Sequence, residues 1–123
     1  MKIELLWFKG CPNHAPARLM LRRVLAARGL SEAVEEVEVR SDDDAVRLRF
    51  TGSPTIRVNG IDVDPGFVEG GAYAMGCRVY VTGDGLRGVP ERAWVEQAVA
   101  RALTTERDGA FRRTGTPPSE RQE

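Results

Sequence analysis

The chain has 123 residues, with 18 Lys and Arg against 18 Asp and Glu, one His and two Cys. This length favours one domain with a single core, and the zero net charge argues against a nucleic-acid or membrane-surface partner. Two cysteines and one histidine exclude a disulfide framework and any Cys₄ or Cys₂His₂ zinc site within the chain. Thiol chemistry therefore has only two candidates, Cys11 and Cys77.

A strand and a helix are predicted at the start of the chain. Residues 2–8 form a short apolar run, which suits an interior strand. Asn13 is a candidate N-cap for a helix that reaches Arg28, with Gly29 as its stop signal. The apolar run is too short for a signal peptide or for a membrane span of about 20 residues, so we expect a cytoplasmic protein. In that compartment a disulfide would be transient.

A second strand and a second helix follow. Residues 33–39 place three valines near a strand, and Ser41 is predicted to cap a short helix over 42–50. Three aspartates fill the first turn of this helix, where the helix dipole favours negative charge. Together with the first strand and helix, these elements predict a strand–helix–strand crossover.

A hairpin is predicted next in the chain. Asn59-Gly60 lies between two alternating runs, 55–58 and 61–64. Asn-Gly in that position is the strongest short-range signal for a type I′ turn, because both central residues need a positive φ. Asp62 and Asp64 alternate with apolar residues, so they should line the polar face of an edge strand, where one of them could act as a general acid.

An insertion, a closing helix and a tail complete the chain. Residues 65–88 are Gly-rich and hold one apolar patch, 77–81, that could form another short strand. A final amphipathic helix is predicted from Pro90 to about residue 103. The order β-α-β-α-β-β-α gives a mixed sheet covered by helices in a domain over 1–104. Residues 105–123 carry almost no large apolar side chain, so we predict a disordered tail there.

The turn Gly10-Cys11-Pro12-Asn13-His14 is the first of two places that can carry chemistry. A thiol between a strand and a helix start lies near the positive end of the helix dipole, which favours the nucleophilic thiolate. Pro12 would keep the turn rigid, and His14 could add positive charge when protonated. The alternative is that Cys11 is a small buried hydrophobe and His14 a solvated loop residue.

The second place is Ser53-Pro54-Thr55, at the start of the third strand. Pro54 lacks an N–H donor, which is tolerated at the first residue of a strand. Cis X–Pro bonds are uncommon in folded proteins, so the proline alone predicts little. It would follow the second helix and enter the third strand, a position that becomes informative through the resemblance described next.

These motifs resemble thioredoxin- and glutaredoxin-like proteins. The segments GCPN, GSPTIRVNG and GCRVY, in this order, are similar to small bacterial thioredoxin-like proteins of the kind often labelled alkylmercury lyase. The resemblance covers roughly 1–104 and implies a thioredoxin-like fold with a Gly-rich insertion before the last helix. It implies that Cys11 is the nucleophile and that Pro54 is a cis-proline facing it. It also implies that the backbone of Ser53 pairs with an extended substrate, in a substrate-binding site shared by Pro12 and Thr55.

The chain departs from the family's C-x-x-C motif because His14 stands where the second cysteine would be. Cys77 is the other candidate, since it could resolve a mixed disulfide on Cys11 or join it in holding a soft metal. Arg78 could favour a thiolate or bind an anionic group of the substrate. The alternative is that Cys77 is buried in a short strand and Arg78 lies at the surface.

Three functions remain open from the sequence. The first is a thiol–disulfide oxidoreductase in which Cys11 attacks and Cys77 or an external thiol resolves the intermediate. Its partner would be a disulfide-bearing protein or a glutathione-like small thiol. The second is a soft-metal or organomercurial-binding protein that uses both cysteines, and the third is a non-catalytic binding module. The glycines form no phosphate loop, and we expect no cofactor. The sequence does not decide the oligomeric state.

Overall fold

A computed structural model describes residues 1–114 of the chain. The elements follow the order β1 (Ile3–Trp7), α1 (His14–Ala27), β2 (Val34–Glu38), α2 (Asp42–Leu48), β3 (Thr55–Val58), β4 (Ile61–Asp62), β5 (Tyr80–Thr82), β6 (Gly85–Arg87) and α3 (Arg92–Thr114). The first six elements match the predicted order. The predicted mixed α/β class is confirmed.

β1 lies in the interior of a four-stranded mixed sheet with the strand order β2-β1-β3-β4. It pairs parallel with β2 and antiparallel with β3, and β4 pairs antiparallel with β3. The Gly-rich insertion contributes a separate antiparallel pair, β5 with β6. The sequence predicted a single strand there, because β6 carries only one apolar residue and gives almost no alternating signal.

The side chains of β1 alternate between two cores, because successive residues of a strand point to opposite faces of a sheet. Ile3 and Leu5 pack into a cluster with residues of β3, α1 and α3. Leu6 packs into a second cluster, with Val39, Ala45 and Phe50 around α2. Helices therefore cover both faces of the sheet. The end of β1 lies beside the start of β3, because the two strands are antiparallel and Leu6 is opposite Thr55.

Capping and turn residues were predicted at several ends of helices and strands, and most of them are found there. Ser41 Oγ accepts a hydrogen bond from the N–H of Asp44 at 3.1 Å, which caps α2. Asn59 and Gly60 have φ angles of 53° and 79°, as a type I′ turn requires. Asn13 occupies the N-cap position of α1 but makes no side-chain capping bond.

α3 continues past the predicted domain end at residue 104 and reaches Thr114. The first part of the predicted tail, 105–114, is therefore helical, whereas 115–123 lies outside the described residues. The N-terminal amine of Met1 pairs with the carboxylate of Glu106 at 2.6 Å, so this extension contacts the start of β1. Within the described part of the chain, no helix combines the length and apolar character that crossing a membrane requires.

Candidate functional site

Cys11 lies in the turn that joins β1 to α1. Its N–H donates to the carbonyl of Phe8 at 3.2 Å, and its carbonyl accepts from the N–H of His14 at 3.4 Å. The cysteine is partly exposed and its thiol is free. The turn thus holds an accessible thiol at the end of the interior strand, two residues before the N-cap of α1.

Ser53 and Pro54 lie against the same turn. Ser53 Oγ accepts a hydrogen bond from the N–H of Phe8 at 3.4 Å. The Ser53–Pro54 peptide bond is cis, as predicted, and both residues are buried together with Thr55. The two places singled out in the sequence therefore meet at one end of the sheet.

The Gly-rich insertion brings Cys77 to this end of the sheet. The N–H of Ser53 donates to the carbonyl of Gly76 at 2.8 Å, and the carbonyl of Ser53 accepts from the N–H of Arg78 at 3.0 Å. These two bonds form a parallel bridge between Ser53 and Cys77. Cys77 is exposed and its thiol is free. Ser53 thus contacts both the strand end that precedes Cys11 and the segment that carries Cys77.

One of the two readings of the sequence placed Cys77 in the interior and Arg78 at the surface. The structure contradicts it for both residues, because Cys77 is exposed and Arg78 is only 9 % exposed. The guanidinium of Arg78 donates to the two carboxylate oxygens of Asp62 at 2.6 and 3.1 Å. It also donates to Thr55 Oγ1 at 3.1 Å and lies 3.6 Å from the carboxylate of Asp64. Arg78 therefore fastens the insertion to β3 and β4.

The burial of Arg78 changes the roles expected for three side chains. Burial is the largest single influence and opposes its charged form, but the hydrogen bonds to Asp62 and the electrostatic contributions of Tyr80, Asp62 and Asp64 together outweigh burial, so the pKa of Arg78 is raised. The Asp62 side chain is only 4 % exposed, so it does not line the polar face that was predicted. Asp62 and Asp64 already compensate the charge of Arg78, so the three side chains form a structural ion cluster.

Tyr80 makes a further contact that holds the insertion in place, a hydrogen bond to Pro54. Its hydroxyl donates to the carbonyl of Pro54, and the guanidinium of Arg78 lies 4.4 Å from the centre of its ring. Tyr80 is fully buried, and this burial raises the pKa of its hydroxyl well above the usual range. This role of Tyr80 has no signal in the sequence, because nothing in the local pattern of residues 77–81 indicates a partner 26 residues away.

His14 belongs to a cluster on the β2 side of α1. Its ring stacks on Trp7, with the ring centres 4.0 Å apart and the planes 8° from parallel. His14 Nε2 lies 2.8 Å from a carboxylate oxygen of Glu36, and Arg18 donates to both oxygens of the same carboxylate. His14 is thus a partly buried, paired residue.

The Glu36 cluster gives a pH-dependent contribution to stability. Hydrogen bonds from Arg18, and secondarily from His14, hold the pKa of Glu36 below the ordinary value of 4.5. A carboxylate with a lowered folded-state pKa stabilises the fold above its unfolded pKa, and loses that contribution as the pH falls through the folded pKa. We expect Glu36→Gln to lower the free energy of unfolding by about 0.5–1 kcal/mol at pH 7, since the group is partly exposed.

Urea denaturation at pH 7 and at pH 3 would measure this effect. The difference between Glu36→Gln and the unsubstituted protein should shrink as the pH is lowered below about 4.5, because the wild-type carboxylate then becomes protonated. Glu35→Gln, on the neighbouring exposed position of β2, is the matched control. An equal loss at both pH values would contradict the ionic origin of the effect.

A groove of about 600 Å³ begins at Asn13 and runs between the start of α1, the β5–β6 hairpin and the start of α3. Its lining carries both charge signs, from Asp84, Arg87, Glu91 and Arg92. Neither cysteine lines it. The groove therefore adjoins the Cys11 turn and is separate from the ion cluster of Arg78.

Among residues 1–107, whose side chains the structure describes, no group of three or more His, Cys, Asp or Glu could hold a metal ion. Comparison of the chain with protein-family models, with curated proteins and with solved structures gave no match in any of the three. The function of this protein is therefore inferred from the geometry of the site.

Proposed function

We propose that the protein is a thioredoxin-like thiol–disulfide oxidoreductase in which Cys11 and Cys77 act as a redox pair. The observation that carries the proposal is the backbone bridge between Ser53 and Cys77, since Ser53 also accepts a hydrogen bond from the strand end that precedes Cys11. Both thiols are free, and Cys11 is partly exposed whereas Cys77 is exposed. Accessible thiols near one another are the requirement for thiol–disulfide exchange.

The sheet supports the thioredoxin-like part of the proposal. The central strand β1 is parallel to β2 and antiparallel to β3, and Cys11 follows directly after β1. The resemblance stated from the motifs implies a nucleophilic cysteine at that position. The β5–β6 hairpin is an addition within the predicted insertion, and it leaves the order of the four-stranded sheet unchanged.

The bridge suggests how Cys77 replaces the missing second cysteine of the C-x-x-C motif. The resemblance implies that the backbone of Ser53 pairs with the extended chain of a substrate. Here the flanking residues of Cys77 make both of those hydrogen bonds. Cys77 would therefore approach Cys11 as the cysteine of a substrate does, and the pair would form within one chain.

The proposed reaction is a two-step exchange. The Cys11 thiolate attacks one sulfur of a substrate disulfide, the substrate S–S bond breaks, and one half leaves as a thiolate. The Cys77 thiolate then attacks the sulfur of Cys11, which forms the Cys11–Cys77 disulfide and releases the second half as a thiolate. The substrate gains two electrons, the two cysteines lose two electrons, and the protons of the cysteines pass to solvent or to the leaving thiolates. A small thiol in excess returns the pair to the reduced form.

Controlled oxidation tests this function. When the reduced protein is mixed with oxidised glutathione, we expect an intact mass two hydrogen atoms lower and a linked peptide that joins Cys11 to Cys77. Cys77→Ser should accumulate the glutathione adduct on Cys11, because no resolving thiol remains. Cys11→Ser should react at least 100-fold more slowly at the remaining cysteine, because the nucleophile is missing.

The two single variants are each other's control, since each retains one cysteine. Mass spectrometry of the quenched reactions and of their peptide digests gives the site and the extent of oxidation. Absence of both the internal disulfide and the Cys11 adduct in the unsubstituted protein would contradict the proposed function. Equal adduct formation in both variants would contradict the assignment of Cys11 as the nucleophile.

A further inference from the structure

We infer that the disulfide substrate is a small molecule with charged groups, and that an extended segment of another protein is a poor substrate. This inference rests on the proposed function and names the substrate class of the same site. It follows from three features of the described residues: a closed backbone edge, a buried ion pair that holds it closed, and a charged groove beside the Cys11 turn.

The backbone edge beside Cys11 is closed by the chain itself. An extended peptide adds to a protein by hydrogen bonding to unpaired N–H and C=O groups along a strand edge. At Ser53 both groups are already used, by the carbonyl of Gly76 and the N–H of Arg78. A protein segment that approached Cys11 along this edge would have to displace residues 76–78.

Displacement of residues 76–78 would disrupt buried polar interactions. The side chain of Arg78 lies against Asp62 with two hydrogen bonds, and both side chains are almost fully buried. Separating a buried ion pair leaves uncompensated charges away from water, which is strongly unfavourable. The hydroxyl of Tyr80 also holds the carbonyl of Pro54 from the same segment. The edge therefore stays closed to a peptide.

The groove offers a place for the remainder of a small substrate. Its volume of about 600 Å³ lies within the range of small-molecule sites, which is roughly 300–1,000 Å³. It begins at Asn13, two residues after Cys11, and two residues of extended chain span at most roughly 7 Å. A half-substrate bonded to Cys11 could therefore reach the groove with its non-reacting end.

The charges of the groove indicate what that end would carry. Arg87 lies 3.9 Å from the carboxylate of Asp84, and Arg92 donates to Glu96 at 3.1 Å, but both pairs are exposed and therefore weak, so a charged ligand can compete for them. Arg87 and Arg92 can then bind carboxylates and Asp84 an ammonium group, whereas Glu91 already accepts from the N–H of Gly83. A disulfide whose halves bear both carboxylate and ammonium groups matches this lining better than an uncharged one. Peptide-sized thiols with free termini have that chemistry.

The experiment compares how fast the reduced protein is oxidised by three disulfides. The first is oxidised glutathione, the second is uncharged hydroxyethyl disulfide, and the third is the disulfide-linked dimer of an unstructured ten-residue peptide with one central cysteine. We expect the second-order rate constant for oxidised glutathione to exceed that for the peptide dimer at least tenfold. A rate constant for the peptide dimer equal to or above that for glutathione would overturn the inference and leave the proposed function standing.

A second comparison tests the groove. Arg87→Gln should lower the rate constant for oxidised glutathione about threefold relative to that for hydroxyethyl disulfide, since an exposed charge contributes a modest attraction. Arg22→Gln, an exposed position on α1 outside the groove, should leave that ratio unchanged. An unchanged ratio in Arg87→Gln would overturn the role of the charged groove. Failure of all three disulfides to oxidise Cys11 would overturn the proposed function, and the inference with it.

Discussion

Replacing Arg78 with methionine is expected to lower the free energy of unfolding by about 3–5 kcal/mol. Methionine has a similar length and fills space, so the main loss is electrostatic. The substitution removes two hydrogen bonds to Asp62 and one to Thr55, and it leaves the carboxylate of Asp62 buried without its counter-charge. A loss of this size is a large part of the total stability of a small domain, which is about 5–15 kcal/mol.

Urea denaturation of the two proteins at pH 7 measures this difference. Arg40→Met is the matched control, because Arg40 pairs with Glu38 at an exposed site and should change the free energy of unfolding by less than about 1 kcal/mol. If Arg78→Met does not fold, the double variant Asp62→Leu/Arg78→Met should recover stability, since an apolar pair avoids the unpaired charge. A single variant within 1 kcal/mol of the unsubstituted protein would contradict the role of the ion pair.

The same substitution should also change the chemistry of the site. Arg78 supplies the N–H that closes the bridge to Ser53, and its side chain is what fastens that segment to β3 and β4. In any Arg78→Met protein that remains folded, the segment 76–78 should separate from Ser53 more often. Alkylation of Cys77 should then be faster, and the internal disulfide should form more slowly.

Gly52→Ala is expected to lower the free energy of unfolding by about 2–4 kcal/mol, for two separate reasons. Gly52 has a φ of +135°, a backbone conformation that residues with a side chain rarely adopt. A Cβ at this position would also lie 2.8 Å from the Cβ of Arg78 and 3.0 Å from its Cα. Arg78 cannot move away easily, because its backbone is bonded to Ser53.

Alanine substitutions at two glycines of the insertion distinguish backbone strain from the collision with Arg78. Gly71→Ala meets open space at an ordinary φ, so it should change stability by less than about 0.5 kcal/mol. Gly70→Ala also meets open space but has a φ of +97°, so it measures the backbone strain without the collision. Gly52→Ala should exceed Gly70→Ala in urea denaturation. Equal losses in the two would show that close packing against Arg78 contributes nothing.

The sequence predicted those parts of the fold that depend on residues close together in the chain. Asn59-Gly60 forms the expected turn and Ser41 the expected cap, because a turn type and an N-cap are decided by three or four neighbouring residues. The apolar run 2–8 likewise identified core residues, because Ile3, Leu5 and Leu6 are fully buried. The helical extent of 105–114 was missed, because composition alone does not register the contact between Glu106 and the N-terminus.

The candidate site was predicted in part. The position of Cys11 after β1 was anticipated from the element order, and the cis bond before Pro54 from the resemblance that the motifs carry. The sequence left the environment of Cys77 and Arg78 open between two readings, and the structure contradicts one of them, a buried Cys77 with a surface Arg78. An arginine beside a glycine-rich stretch normally lies in solvent, and only the carboxylates of Asp62 and Asp64, more than a dozen residues earlier, make its burial favourable.

The amino-acid sequence limits thiol chemistry in this chain to two cysteines, and it predicts that one of them follows the first strand. The order of the first six elements is also predictable from it, since hydrophobic periodicity and capping are local properties. The pairing of Cys77 with Ser53 is visible only in the folded chain, because that contact joins residues 24 positions apart through backbone groups that every residue possesses. Backbone hydrogen bonds carry no sequence signature, so this juxtaposition depends on the packing of Arg78 against β3 and β4.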